Sequence, residues 1–138
     1  MVKSYDRYEY EDCLGIVNSK SSNCVFLNNN NIISGHDECV GIWNINEKEI
    51  KKKLSVPFLP PYYFFTYHVT YICLNDVNKN IVAVGYTNGS IRLFDMEKNK
   101  ILSTFSGHTS GICKLKFNEN GNYLCSCSKI RILYYGIL

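Results

Sequence analysis

The 138-residue sequence predicts an all-β fold built from about three four-stranded antiparallel units, the last incomplete, whose sheets close no ring. Three observations predict it. Apolar residues alternate with period two in short runs, as half-buried strands require. Those runs are punctuated by Asn, Gly, Asp and Ser, the residues that tight turns select. The pattern also recurs: residues 32–44 and 81–95 each read as an apolar run, a polar turn, and an alternating strand ending in an aromatic followed by Asn or Asp. A third copy begins at residue 123. No stretch shows a long 3.6-residue apolar period, so no helix longer than two turns is expected.

The expected strands follow from those runs. In the first unit they are 24–27, 32–34, 39–44 and 50–54. In the second they are 69–74, 81–86, 90–95 and 101–105. In the third they are 112–117, 123–128 and 130–135. Within residues 90–95, Ile91, Leu93 and Asp95 point one way and Ser90, Arg92 and Phe94 the other. Asn88-Gly89 between two such runs suits a type I′ hairpin, whose central residues both take positive φ. It also begins an Asn-Gly-Ser glycosylation acceptor, discounted because no secretory signal is expected. The asparagine run at 28–31 reads as a solvated turn.

Composition narrows the class. Hydrophobic residues make up 46% and charged residues 20%, enough apolar material for a core. A net charge of +3 gives no basic stripe marking a direct nucleic-acid binder. The first residues lack the apolar run of a secretory signal. The most apolar stretch, 54–67, is shorter than the ~20 residues of a membrane helix and is broken by Pro57, Pro60 and Pro61. Residues 56–68 lengthen the link between the first two units, either as a loop insertion or as sequence foreign to the fold, such as a translated intron. Seven cysteines are expected as reduced, buried small hydrophobes in a reducing compartment. Their scatter lacks metal-ligand spacing, with Cys125 and Cys127 facing one side of a strand and no second pair. Neither a phosphate-binding glycine loop nor a Gly-x-Ser-x-Gly elbow is present. The lysines of residues 47–53 read as a charged turn and edge strand, with a nuclear import patch as the less favoured reading.

Ser106-Gly107-His108 before the third unit, Trp43-Asn44 closing the third strand of the first, and Phe94-Asp95 doing so in the second resemble the WD-repeat β-propellers. Their blades run from a Gly-His pair to a Trp-Asp pair over ~40–45 residues. The resemblance implies a partial WD-repeat propeller, with blades at about 20–55, 69–105 and 106–138. It also implies that Trp43, Asn44, Asn88, Gly89, Phe94, Asp95, Gly107, His108 and Ser126 are structural repeat positions. Of the third unit, His108 and either Ser126 or Ser128 match the blade's hydrogen-bond network. No turn Asp follows, and Tyr134-Tyr135 stand in place of Trp-Asp. Trp43 is expected between blades, and His36, beside a turn, is expected to be solvated.

The opening Lys3-Ser4-Tyr5-Asp6-Arg7-Tyr8, then Leu14-Gly15-Ile16-Val17, and the ordered segments 84–94 and 104–117 resemble a large WD-repeat subunit of the small-subunit processome. That resemblance implies that residues 1–19 hold a ring-closing strand. It implies a non-enzymatic protein-interaction scaffold in pre-rRNA processing, in the nucleus and nucleolus. Its partners would be proteins of a ribonucleoprotein assembly, with RNA contact indirect or weak. No membrane, small-molecule substrate, cofactor or metal is expected. The alternative is a general WD-repeat adaptor, such as a ubiquitin-ligase substrate receptor. Residues 130–135, rich in β-formers with one charge and no proline, read as an aggregating edge.

Overall fold

The computed structural model of the chain describes residues 19–55, 67–130 and 133–137. The described residues form eleven strands and no helix. The first antiparallel sheet is β1 (Cys24–Asn28), β2 (Asn31–His36), β3 (Cys39–Asn44) and β4 (Glu49–Leu54), in that order. The second repeats it with β5 (Val69–Leu74), β6 (Ile81–Tyr86), β7 (Ser90–Asp95) and β8 (Lys100–Ser106). The third has β9 (Ile112–Phe117), β10 (Tyr123–Ser128) and β11 (Leu133–Ile137). No sheet closes on itself or on another among the described residues. The ring-closing strand expected within residues 1–19 lies almost wholly outside them, as does most of the 56–68 link.

The sheets pack face to face in chain order. β5 runs beside β1, and β9 beside β5, so the first strand of each sheet lies at a common inner edge. The middle sheet is covered on both sides. Val82, Val84 and Phe94 meet Ile33, Val40 and Leu54 of the first sheet. Ile91 and Leu93, on the alternate positions of β7, meet Ile112, Leu115 and Leu124 of the third. That double burial explains why β6 and β7 read as nearly continuous apolar runs. The outer strands β4 and β8 are mostly exposed, and the sequence there turns to Lys, Glu, Ser and Thr.

Polar ties between sheets come from residues that sequence patterning does not single out. Asn23, just before β1, donates through Nδ2 to Ile72 O at 2.9 Å and accepts from Ile72 N at 2.7 Å. It thus satisfies both backbone groups of a residue 1% exposed. Asn75 caps its own turn by accepting from Val77 N and Asn78 N at 3.0 and 3.1 Å, and donates to Gly121 O of the next sheet at 3.1 Å. Lys52 on β4 reaches across to the Met96 and Glu97 carbonyls. Asn23→Ala strips two hydrogen bonds from a buried peptide unit and is expected to cost about 1–3 kcal/mol. Urea denaturation of Asn23→Ala beside the exposed-turn control Asn30→Ala reads this out. Equal midpoints would show that the first two sheets are not joined there.

Three expectations change. The last strand begins at Leu133, not Ile130. Lys129 and Ile130 are used in the turn, where Lys129 N donates to Gly111 O at 3.1 Å, and β10 pairs outward from Cys127 opposite Leu133. The Asn88-Gly89 hairpin is not type I′. Gly89 has φ +82 while Asn88 keeps a negative φ, and Gly89 N donates to Tyr86 O at 3.1 Å. The loop is therefore three residues, Thr87 to Gly89, with the left-handed position last, the type I plus bulge geometry. The described cysteines are free but none is fully buried. Cys24 and Cys113 are exposed, and Cys39, Cys73, Cys125 and Cys127 are half-buried. Cys125 and Cys127 sit opposite Tyr135 and Leu133, on the side of the third sheet turned away from the second.

Candidate functional site

After β8 the chain crosses to the third sheet through Gly107-His108. His108 is 7% exposed, and its Nε2 shares a hydrogen bond of 2.9 Å with Ser126 Oγ on β10. Ser126 lies opposite Leu115 of β9 and Tyr134 of β11, and the Tyr134 ring meets the imidazole edge-on at 4.6 Å. Of the two serines that match by position, Ser126 makes the contact, while Ser128 Oγ is buried without a hydrogen-bond partner. A cavity of about 300 Å³ opens beside the pair, lined by Gly89, Ile91, Gly107, His108, Ser126 and Tyr134. His108 Nδ1 is buried with no partner. Acyl-transfer chemistry needs a group on that nitrogen to orient the base. The pair instead ties the crossover to the middle of the sheet.

Burial holds the His108 pKa below its usual value, against the opposing pull of the Ser126 contact. The neutral ring is the folded form, and the unfolded chain binds the proton more readily. The associated stability is therefore complete above the unfolded pKa near 6.5 and declines as pH falls through it toward the lower folded value. Melting temperature should fall more steeply from pH 7 to pH 5 for the native chain than for His108→Gln. Parallel profiles would show that His108 titrates as if free.

In the first sheet, Ile33, Val40 and Ile42 turn toward the second sheet. Trp43 alternates with Ile42 and stands opposite Ile32 and Ile50, so it occupies the other face, 7% exposed. The expectation that Trp43 is wedged between the first two blades is thus corrected by strand parity. His36 is not simply solvated either. It is half-buried, its ring lies 5.4 Å from that of Trp43, and Ser34 Oγ is 3.4 Å from its Nε2. Because the rings touch, His36→Ala and Trp43→Ala should be non-additive by at least about 0.5 kcal/mol in a double-mutant cycle. A coupling of zero would deny the contact.

The remaining repeat positions have local roles. Asn44 Oδ1 accepts from Asn46 N and Glu47 N, both at 2.9 Å, and Asp95 Oδ1 accepts from Lys98 N at 2.9 Å. These hydrogen bonds and nearby Lys98 hold the Asp95 carboxyl below its usual range. Asn88 Oδ1 accepts from Ser90 N at 3.0 Å and Ser90 Oγ at 2.7 Å. Phe94, 1% exposed, is in the core between the first two sheets. The structure therefore brings Gly89, Gly107, His108 and Ser126 to one cavity. Trp43 and Phe94 lie at matching places on successive sheets.

Arg92 was missed as a candidate. It is 9% exposed, and its guanidinium lies 4.8 Å from the centroids of both the Tyr67 and Tyr86 rings. Burial pushes the Tyr86 phenol up to about 12, and Arg92 opposes that shift. A lone arginine inside the apolar run of β7 was the available signal. Cys39 and Cys73 are no activated nucleophiles, because burial raises both thiols.

Residues 99–129 match the family model described as WD domain, G-beta repeat. With the successive four-stranded sheets, this match defines the chain as a partial WD-repeat β-propeller, the architecture of a protein-interaction scaffold. It is 33% identical to the U3 small nucleolar RNA-associated protein 12 of Saccharomyces cerevisiae, over 93% of this chain and 15% of that protein. It is 32% identical to Autophagy-related protein 18 of Caenorhabditis elegans, over 80% of this chain and 26% of that protein. It is 40% identical to a WD repeat-containing protein 89 homolog of Dictyostelium discoideum, over 42% of this chain and 16% of that protein. The chain thus spans a minor part of each of these relatives.

Proposed function

We propose that this chain is the opening part of a small-subunit processome subunit, a scaffold that acts in pre-rRNA processing through protein contacts on its propeller surface. The observation that carries the reading is the likeness to the U3 small nucleolar RNA-associated protein, which runs through 93% of this chain. On this reading residues 1–19 supply the ring-closing strand, residues 56–68 link the first two blades, and the nine repeat positions are structural. Nucleolar localisation and a ribonucleoprotein partnership belong to the same proposal.

A second reading, a regulatory WD-repeat adaptor, is favoured by the 32% identity to an autophagy-related protein over 80% of the chain. Expression of the tagged chain in its host cell separates the two. The processome reading expects nucleolar signal and co-purification of pre-rRNA with the U3 small nucleolar ribonucleoprotein. Diffuse cytoplasmic signal without pre-rRNA would favour the adaptor.

A further inference from the structure

The inner strands β1, β5 and β9 border a groove of about 570 Å³, whose lining includes Phe26, Tyr71, Asp76, Lys79, Lys114 and Lys116. Phe26 is 65% exposed, although β1 faces a groove rich in apolar side chains. Lys114 and Lys116 are exposed and alternate on β9, so they share a side about 6.7 Å apart. Lys79 takes up the Asp76 carboxylate at 2.7 Å. Among the described residues Lys114 and Lys116 form no ion pair. The lining therefore combines unneutralised positive charge with aromatic side chains at one concave edge.

We propose that this groove binds a run of single-stranded RNA, with bases stacked on Phe26 and Tyr71 and phosphates along Lys114 and Lys116. Aromatic platforms beside a positive track are how single strands are held without sequence readout. An acidic peptide fits less well. The lysines offer point charges rather than the forked donors that grip carboxylates, and the aromatic faces would go unused. The choice of RNA rests on the ribonucleoprotein reading above, while the groove chemistry does not.

The test is fluorescence anisotropy of the 138-residue chain with labelled oligouridine of about ten nucleotides, within the ~4–16 range of single-strand sites. Variants are the double Lys114→Glu/Lys116→Glu, Phe26→Ala, and the outer-strand control Lys51→Glu. All four positions are exposed, so folding should be retained, as far-ultraviolet circular dichroism will check. The double variant should weaken binding and reduce the salt slope by about 1.4 for two lost phosphate contacts. Phe26→Ala should weaken it about five- to hundredfold, and Lys51→Glu should leave it unchanged. The proposal is overturned by absence of binding, by equal affinities for the native and inner-groove variants, or by polyglutamate competing as well as oligouridine. Nucleolar localisation is read separately, so RNA binding can fail while the scaffold reading stands.

Discussion

Phe94→Ala should destabilise the chain by about 3–5 kcal/mol, as deletion of a fully buried aromatic does. Phe94 is 1% exposed, in the core shared by the first and second sheets. Its strand neighbours, Val82 on β6 and Ile101 on β8, are held by backbone pairing and cannot easily collapse into the space left. A domain of ordinary stability has only ~5–15 kcal/mol to lose, so the variant should be substantially unfolded at 37 °C. Leu102→Ala, next to Ile101 on the outer strand and 42% exposed, is the matched control and should change little. Urea unfolding followed by far-ultraviolet circular dichroism measures both. A Phe94→Ala loss no larger than the control's would mean that the first two sheets do not pack on one another.

The fold was legible because period-two alternation and turn residues are local signals. β5, β6, β7, β9 and β10 fall where the apolar runs place them. What lay beyond reach was side-of-sheet and side-chain partnership. The register of Trp43 depends on which face of β3 meets the second sheet, and only the packing of Ile33, Val40 and Ile42 decides that. Tyr134 was a poor stand-in by motif, yet pairing of β10 with β11 places it against His108. Asparagine abundance looked like mere solvation. The side chains of Asn28, Asn44, Asn75, Asn78 and Asn118 in fact accept from nearby backbone amides in turns at one rim of the sheets. Asn23 offered no pattern at all, because its partner Ile72 lies 49 positions away. The candidate site was half readable: the Gly-His pair and the serines announced a contact, but not the choice of Ser126, nor the cavity beside it. The half-buried cysteines came from treating residue type as burial, when Cys125 and Cys127 follow the parity of β10 onto its outward side.

Gly89→Ala should be as damaging as many core deletions, although it adds one methyl group in a turn. Gly89 closes the β6–β7 loop at φ +82, where a side chain costs about 1–2 kcal/mol. The added carbon would also stand 2.8 Å from the His108 carbonyl carbon and 2.9 Å from Ser110 O, with the His108 carbonyl oxygen nearer still. These are backbone atoms, so relief requires the whole crossover into β9 to shift, at a further ~1–3 kcal/mol. That crossover carries His108, and moving it draws Nε2 away from Ser126 Oγ. The expected result is a total loss of about 2–5 kcal/mol, together with weakening of the pH dependence that His108 supplies. Gly136→Ala is the control, since a carbon added there meets nothing within 4 Å. Thermal melts at pH 7 and pH 5 on the two variants and the native chain decide the matter. If Gly89→Ala melts with Gly136→Ala at both pH values, the turn does not abut the crossover, and the contact between second and third sheets must be drawn elsewhere.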